Sequence, residues 1–228
     1  MKQPIQLILM LAFGLVGAPA MATEEPKFEV ISQNNNFELR RYPAILVAEV
    51  EVAGDMDTAS GQGFRAIADF IFGNNVAVNL SSEEGSEKIA MTVPVTLTPV
   101  KASAQKIAMT APVVLAPSNA SAPSDIPALQ GAQQWRVHFV MPSSYTLATL
   151  PKPNNPAVVI RELPAKTWAV LKYSGFNTEA GTQKRIDELR AWMASQNLKA
   201  VGSPQLARYN PPWTLPVLRR NEVMFEVE

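Results

Sequence analysis

Two stretches of this chain, offset by a constant 121 residues, carry the same four-part phrase. Ala48-x-Val50-x-Val52-x-Gly54-x-x-Asp57 leads into one apolar-periodic segment, and Ala169-x-Leu171-x-Tyr173-x-Gly175-x-x-Thr178 leads into another. Alternating apolar residues make a strand buried on one face, glycine frees the turn, and Asp57 or Thr178 supplies an oxygen for the first helical amides. The first helix is expected at about Asp57 to Phe72, with Phe64, Ile67, Ala68 and Ile71 as its buried stripe and Gly73-Asn74 as its stop. The second, at about Thr178 to Asn197, buries Ile186, Leu189, Trp192 and Met193 by the same spacing. Strand-like runs at Lys27 to Gln33, Phe37 to Arg41, Ala44 to Val52, Gln134 to Met141, Ala157 to Leu163, Thr167 to Tyr173, Gln205 to Tyr209 and Asn221 to Val227 surround the two helices. The chain therefore reads as α+β: two strand-helix-strand-strand halves, paired into one sheet or distorted antiparallel β-barrel with two flanking helices.

A second repeat lies inside the first half. Lys88 to Pro99 reads KIAMTVPVTLTP, and eighteen residues later Lys106 to Pro117 reads KIAMTAPVVLAP. Two copies are too few for a solenoid, which needs about three stacked units. Each copy has the period of a strand, and the polar stretch Val100 to Gln105 suits a turn, so the pair is expected to form a hairpin. Pro94 and Pro112 cannot donate to a ladder and should bend it halfway along each strand. Ala116 to Gln133, rich in Ala, Ser and Pro, reads as a loop between strands and not as a domain boundary.

The N-terminus sets the expected compartment. Lys2, the apolar run Ile5 to Val16 and Ala20-Met21-Ala22 before Thr23-Glu24-Glu25 have the charge, length and small-residue spacing of a secretory signal peptide. Residues 1–22 are read as that leader and 23–228 as a single domain, periplasmic or secreted, with no membrane span after cleavage. The apolar stretch is short and interrupted for a span, which needs about 20 apolar residues, and an uncleaved anchor is the weaker alternative. The absence of cysteine excludes disulfides, thiolate metal sites, c-type heme attachment and lipoprotein modification. Lys and Arg together number 20, as do Asp and Glu, so removal of the leader with Lys2 leaves one net negative charge. That balance gives no electrostatic footprint for nucleic acid or an anionic membrane.

Little in the chain is arranged for catalysis. His138, the single histidine, lies in Trp135 to Met141, where period two places Trp135, Val137, Phe139 and Met141 on one face and Arg136, His138 and Val140 on the other. It could ligate or accept a proton only if the second face lined a pocket, and a structural role is the default. Met56, Met91, Met109, Met141, Met193 and Met224 read as core filling. Carboxylates show no metal-binding spacing, and neither a nucleophile signature nor a phosphate loop is present. No catalytic or metal residue is assigned.

Ala207 to Val223 places three prolines, Trp213, Arg219 and Arg220 in one loop. Trp213 and Leu215 could form a lid over the barrel end, with Arg219 and Arg220 bridging to Glu222 or Glu226. The same apolar surface could equally meet a flat ligand, with guanidinium groups on its carboxylates.

KIAMTAPV, Trp135 to Pro142 (WRVHFVMP), Thr149 to Pro153 (TLPKP), Tyr173-Ser174-Gly175 and the ARYNPPWTLPVLRRNEV run together resemble the SOUL heme-binding family over about Phe28 to Val227. The resemblance implies a distorted antiparallel barrel of two similar halves, in agreement with the offset repeat. It implies heme or another tetrapyrrole as ligand, held in a shallow apolar groove between the first helix and the loop before RRNEV. On this chain the groove takes Arg65, Ala68 and Phe72 from the helix and Trp213, Thr214 and Leu215 from the loop, with Arg65 or Arg219 meeting propionates. The family has no shared axial ligand, so strong iron ligation is not implied. Effector-binding domains of related fold bind varied small molecules, and a small-molecule hydrolase or an effector-binding module is the alternative reading. A Pro-rich loop that binds a protein partner is a third.

Overall fold

The computed structural model describes residues 24–78, 85–100, 132–211 and 213–228. The expected leader, residues 1–22, and the second repeat copy, Lys106 to Pro117, lie outside them. In chain order the elements are β1 (Glu29–Asn34), β2 (Phe37–Tyr42), β3 (Ile45–Ala53), α1 (Met56–Ile71), β4 (Asn75–Val76), β5 (Val95–Pro99), β6 (Gln134–Val140), β7 (Lys152–Pro153), β8 (Val159–Leu163), β9 (Lys166–Tyr173), α2 (Glu179–Ser195), β10 (Ala200–Arg208) and β11 (Asn221–Val227). The α+β reading and the two helices hold. Among the described residues no helix is long and apolar enough to cross a membrane.

Nine strands form one antiparallel sheet in the order β1-β2-β9-β11-β10-β5-β6-β3-β8. The two halves are visible in it as β9-β11-β10 and β5-β6-β3, equivalent strands in reversed order joined where β10 pairs β5. The outermost strands are exchanged: β2, which leads into the first half, pairs β9 of the second, and β8, which leads into the second, pairs β3 of the first. Only Pro43-Ala44 separates β2 from β3, a reach of about 11 Å. A flat sheet would hold these strands six spacings apart, about 29 Å, so the sheet must curl until its ends meet. Pro164-Ala165 makes the matching link from β8 to β9. The barrel is nevertheless not closed by the ladders. Tyr42 pairs Lys166 and Ile45 pairs Leu163 in continuing register, and the two prolines, with no N–H to donate, interrupt pairing at that corner.

The expected hairpin between the repeat copies is corrected by the same topology. β5, from the first copy, has β10 on one side and β6 on the other along Val95 to Leu97, so neither edge is open to the second copy there. Pro94, in a cis peptide bond after Val93, stands before the strand and not midway along it.

Both helices pack on one face of the sheet, against Ala48, Val50, Val52, Leu97, Trp135, Val137, Phe139, Leu171, Leu206, Val223 and Phe225. Gly63 brings α1 close, since a Cβ there would stand 2.6 Å from the Val137 side chain. The N-cap of α1 is Asp55, whose carboxylate accepts from Thr58 N at 2.7 Å, and not Asp57 as the offset phrase suggests. Thr178 does cap α2. Phe64 lies at the edge of its stripe, half out of the core with its ring 5.5 Å from that of Phe139. Trp192 is likewise half-buried, stacked on Phe37. Gly54 and Gly175 both adopt positive φ, 120° and 115°, and turn each strand toward its helix.

The opposite face carries a buried ionic cluster. Arg40 is wholly buried and donates both Nη groups to Glu222, at 2.9 and 3.0 Å, Nη1 also to the Tyr42 hydroxyl at 2.9 Å, and Nε to Glu38 at 2.7 Å. Tyr209 donates to Glu222 at 2.8 Å, Arg220 reaches it at 3.0 Å, and Lys172 bridges to Glu38. Burial pushes the Tyr42 and Tyr209 hydroxyls above their usual pKa.

Candidate functional site

The loop between β10 and β11 is shaped by its own backbone. Thr214 N donates to Pro211 O, Leu218 N to Leu215 O and Arg219 N to Pro216 O, so the segment folds into successive tight turns. Arg219 Nε donates to Thr214 O at 2.8 Å, which ties together two residues that the resemblance assigned to the groove. The loop is anchored on the turn before α2: Gly175 N donates to Pro216 O at 2.9 Å, and the Arg219 guanidinium lies 5.9 Å from the Phe176 ring centre. With its polar backbone satisfied internally, the loop turns its apolar side chains outward. Trp213 is 83% exposed, and Leu215, Val217, Leu218 and Phe176 are each more than half exposed. Large apolar side chains concentrated on one loop and its neighbour mark a binding surface more than scattered ones do.

Helix α1 meets this region through its first turns. At the end of β10, Arg208 reaches across to Ser60 Oγ at 2.9 Å and lies 3.7 Å from Asp57. Arg65 is exposed and its side chain leans back along the helix, its Nη1 only 3.5 Å from where a Cβ on Gly61 would stand. Ala68 is 7% exposed and belongs to the core side, so it offers a groove depth and no contact area. Phe72 is exposed, but it is the C-cap of α1, about 22 Å along the axis from Asp57. The structure thus gathers Trp213, Thr214, Leu215 and Arg219 on one loop, puts Arg65 past the middle of α1 with its guanidinium back beside Gly61, and leaves Phe72 at the helix's far end.

Two pockets among the described residues are too small for a macrocycle. One of about 50 Å³ within the curl is lined by Tyr42, His138, Tyr209 and Met224, and another of about 220 Å³ lies under Glu24 to Lys27. Sites for drug-sized ligands have about 300–1,000 Å³. His138 is 4% exposed on the face away from the helices. Burial, then the charges of Arg136 and Arg161, pull its pKa from 6.5 down to about 4, so the ring is neutral at pH 7. Met56, Met141, Met193 and Met224 are buried, and Met91 is partly buried against the core. Among the described residues no group of three or more His, Asp or Glu could hold a metal.

These residues fit a flat, anionic, largely apolar molecule on the outer surface. Trp213, Leu215 and Phe176 offer faces for a ring, and Arg65, Arg208 and Arg219 offer charge for its carboxylates. They do not offer a histidine to a central iron.

A family model described as SOUL heme-binding protein matches residues 23–104 and again 99–226. The chain belongs to the SOUL heme-binding family. Of solved structures, the EcmrR C-terminal domain is 11% identical with a TM-score of 0.54, covering 84% of this SOUL chain and 96% of that one. EcmrR in a cryo-EM complex with DNA is 13% identical with a TM-score of 0.52, over 84% of this chain and 57% of that one. A hydrolase from Listeria innocua is 12% identical with a TM-score of 0.51, over 87% and 94%. At such identities the likeness is one of fold alone. No curated protein matches the sequence.

Arg208 was missed in the sequence, although a signal was there. It alternates with Leu206 on the helix-facing side of β10, where the pattern calls for an apolar residue.

Proposed function

We propose that this SOUL protein is an exported, non-enzymatic binder of heme or another tetrapyrrole, held in an outer apolar groove without strong axial iron ligation. The observation that carries the reading is the exposed Trp213 loop, whose aromatic and aliphatic faces stand beside guanidinium groups at the start of α1. Bound heme would bring an iron centre and two propionates, and the chain's own part is to cover the ring face and neutralise the propionates. Residues 1–22 support export, and the exported chain is expected to begin at Thr23 by N-terminal sequencing.

Titration of the purified protein with hemin and with metal-free protoporphyrin tests the ligand class. Saturable absorbance and fluorescence changes are expected for both. Trp213→Ala should weaken both by about tenfold through lost ring contact, whereas Phe72→Ala, at the far end of α1, should leave them within about twofold. His138→Ala should leave hemin affinity within about twofold. Absence of any saturable change sinks the reading, and loss of the hemin spectrum on His138→Ala sinks its axial-ligand part. Turnover in a substrate screen would favour the hydrolase alternative.

A further inference from the structure

We infer that Arg208 is the carboxylate-binding residue of this groove and that Asp57 is a loosely held stand-in for the ligand's carboxylate. The inference rests on the tetrapyrrole reading and adds to it a residue and a mode of recognition. Arg40, wholly buried, has a partner on all three nitrogens. Arg208 is treated differently. Its Nη1 donates to Ser60, while its buried Nε and Nη2 have no hydrogen-bond partner among the described residues. Those two N–H groups form one edge of the guanidinium, the fork that takes a carboxylate side-on with two parallel hydrogen bonds. Leaving buried donors without an acceptor is costly, so a fork of this kind is built for something that completes it.

What stands nearest is Asp57. Its Oδ1 lies 3.7 Å from Nη2, beyond hydrogen-bond range, and its side chain is 82% exposed, so it is a solvated and weakly held neighbour. Asp57 is also spared from capping, because Asp55 does that work. The Tyr173 hydroxyl, which also lies near Arg208, donates to Asn177 at 2.9 Å and does not accept from the fork. The Arg208 side chain keeps 22% of its exposure, at the junction of α1's first turn and the Trp213 loop. A ligand carboxylate entering there would displace Asp57 and fill the fork while its ring lies against the loop.

The experiment compares metal-free protoporphyrin with its dimethyl ester, which has the same ring and no anionic carboxylate, by fluorescence titration of the purified protein. Wild type is expected to bind the free acid roughly tenfold to a hundredfold more tightly than the ester. Arg208→Gln should bring that ratio close to one with the ester's affinity unchanged. Arg208→Lys should restore only part of it, since a point charge lacks the fork. Asp57→Asn, at an exposed position, should tighten the free acid several-fold and leave the ester alone. This last variant tests the idea even if changes at Arg208 disturb folding. Equal binding of acid and ester by wild type, or a ratio kept in Arg208→Gln, overturns the inference and leaves the proposed function standing. So does a weakened free acid in Asp57→Asn. Binding of neither porphyrin defeats both.

Discussion

At the scale of single residues the buried polar groups divide by how fully they are paired. His138 is buried on the same sheet face as Glu49, its cross-strand partner, whose carboxylate instead pairs with Arg136 and Arg161 at 3.2 and 2.9 Å. The two arginines and the loss of solvent hold the imidazole neutral, with its pKa near 4 in the fold and 6.5 in the unfolded chain. Between those values the unfolded chain binds more protons, so the stability present above pH 6.5 is lost as pH falls toward 4. The loss should reach about 2–3 kcal/mol by pH 4.5. Unfolding free energies from urea titration at pH 7.5 and 4.5 should differ less in His138→Gln than in wild type by that amount, and an unchanged difference would contradict the assignment. The face that His138 occupies was legible from period two alone. That the face is closed off was not, because the closure comes from strands far away in sequence.

At the scale of elements the local code and the pairing code separate. Both helices, the glycine turns and the long strands follow from short-range patterns and were readable, whereas the two-residue strands β4 and β7 were not. The partner of β5 was not: a repeated phrase eighteen residues away looks like a hairpin mate, yet β10, more than a hundred residues on, and β6 take both edges. Helix caps show the same limit at finer grain. The offset aligned Asp57 with Thr178, but α1 starts at Asp55. Asp55→Ala is therefore expected to lower the thermal midpoint by a few degrees, and Asp57→Ala to leave it within about a degree. Equal effects of the two changes, read by circular dichroism melts, would put the cap back on Asp57. The same pair of positions explains why a first-turn carboxylate is left over to face Arg208.

At the scale of the whole molecule the exchange of outer strands governs behaviour. The link Pro43-Ala44 recurs as Pro164-Ala165 at the same 121-residue offset, a signal that the corner belongs to the duplicated unit. Each half lends a strand to the other, so neither contains its own complete sheet. Residues 24–146 and 147–228 expressed separately should each lack a cooperative melt, and mixing them should restore one. A cooperative transition in either fragment alone would show that the exchanged ladders are dispensable. The ionic cluster at Arg40 extends the point to the order of events in a cell. Glu222, the carboxylate that completes Arg40, lies 182 residues later, six residues from the C-terminus. Before β11 exists, closing the sheet would bury Arg40 with Glu38 on Nε and Tyr42 on Nη1 but with no carboxylate on its two Nη groups, so the N-terminal portion has reason to stay open until that strand is present. The sheet is therefore completed only when its last strand arrives, which makes β11 the closing element of the fold.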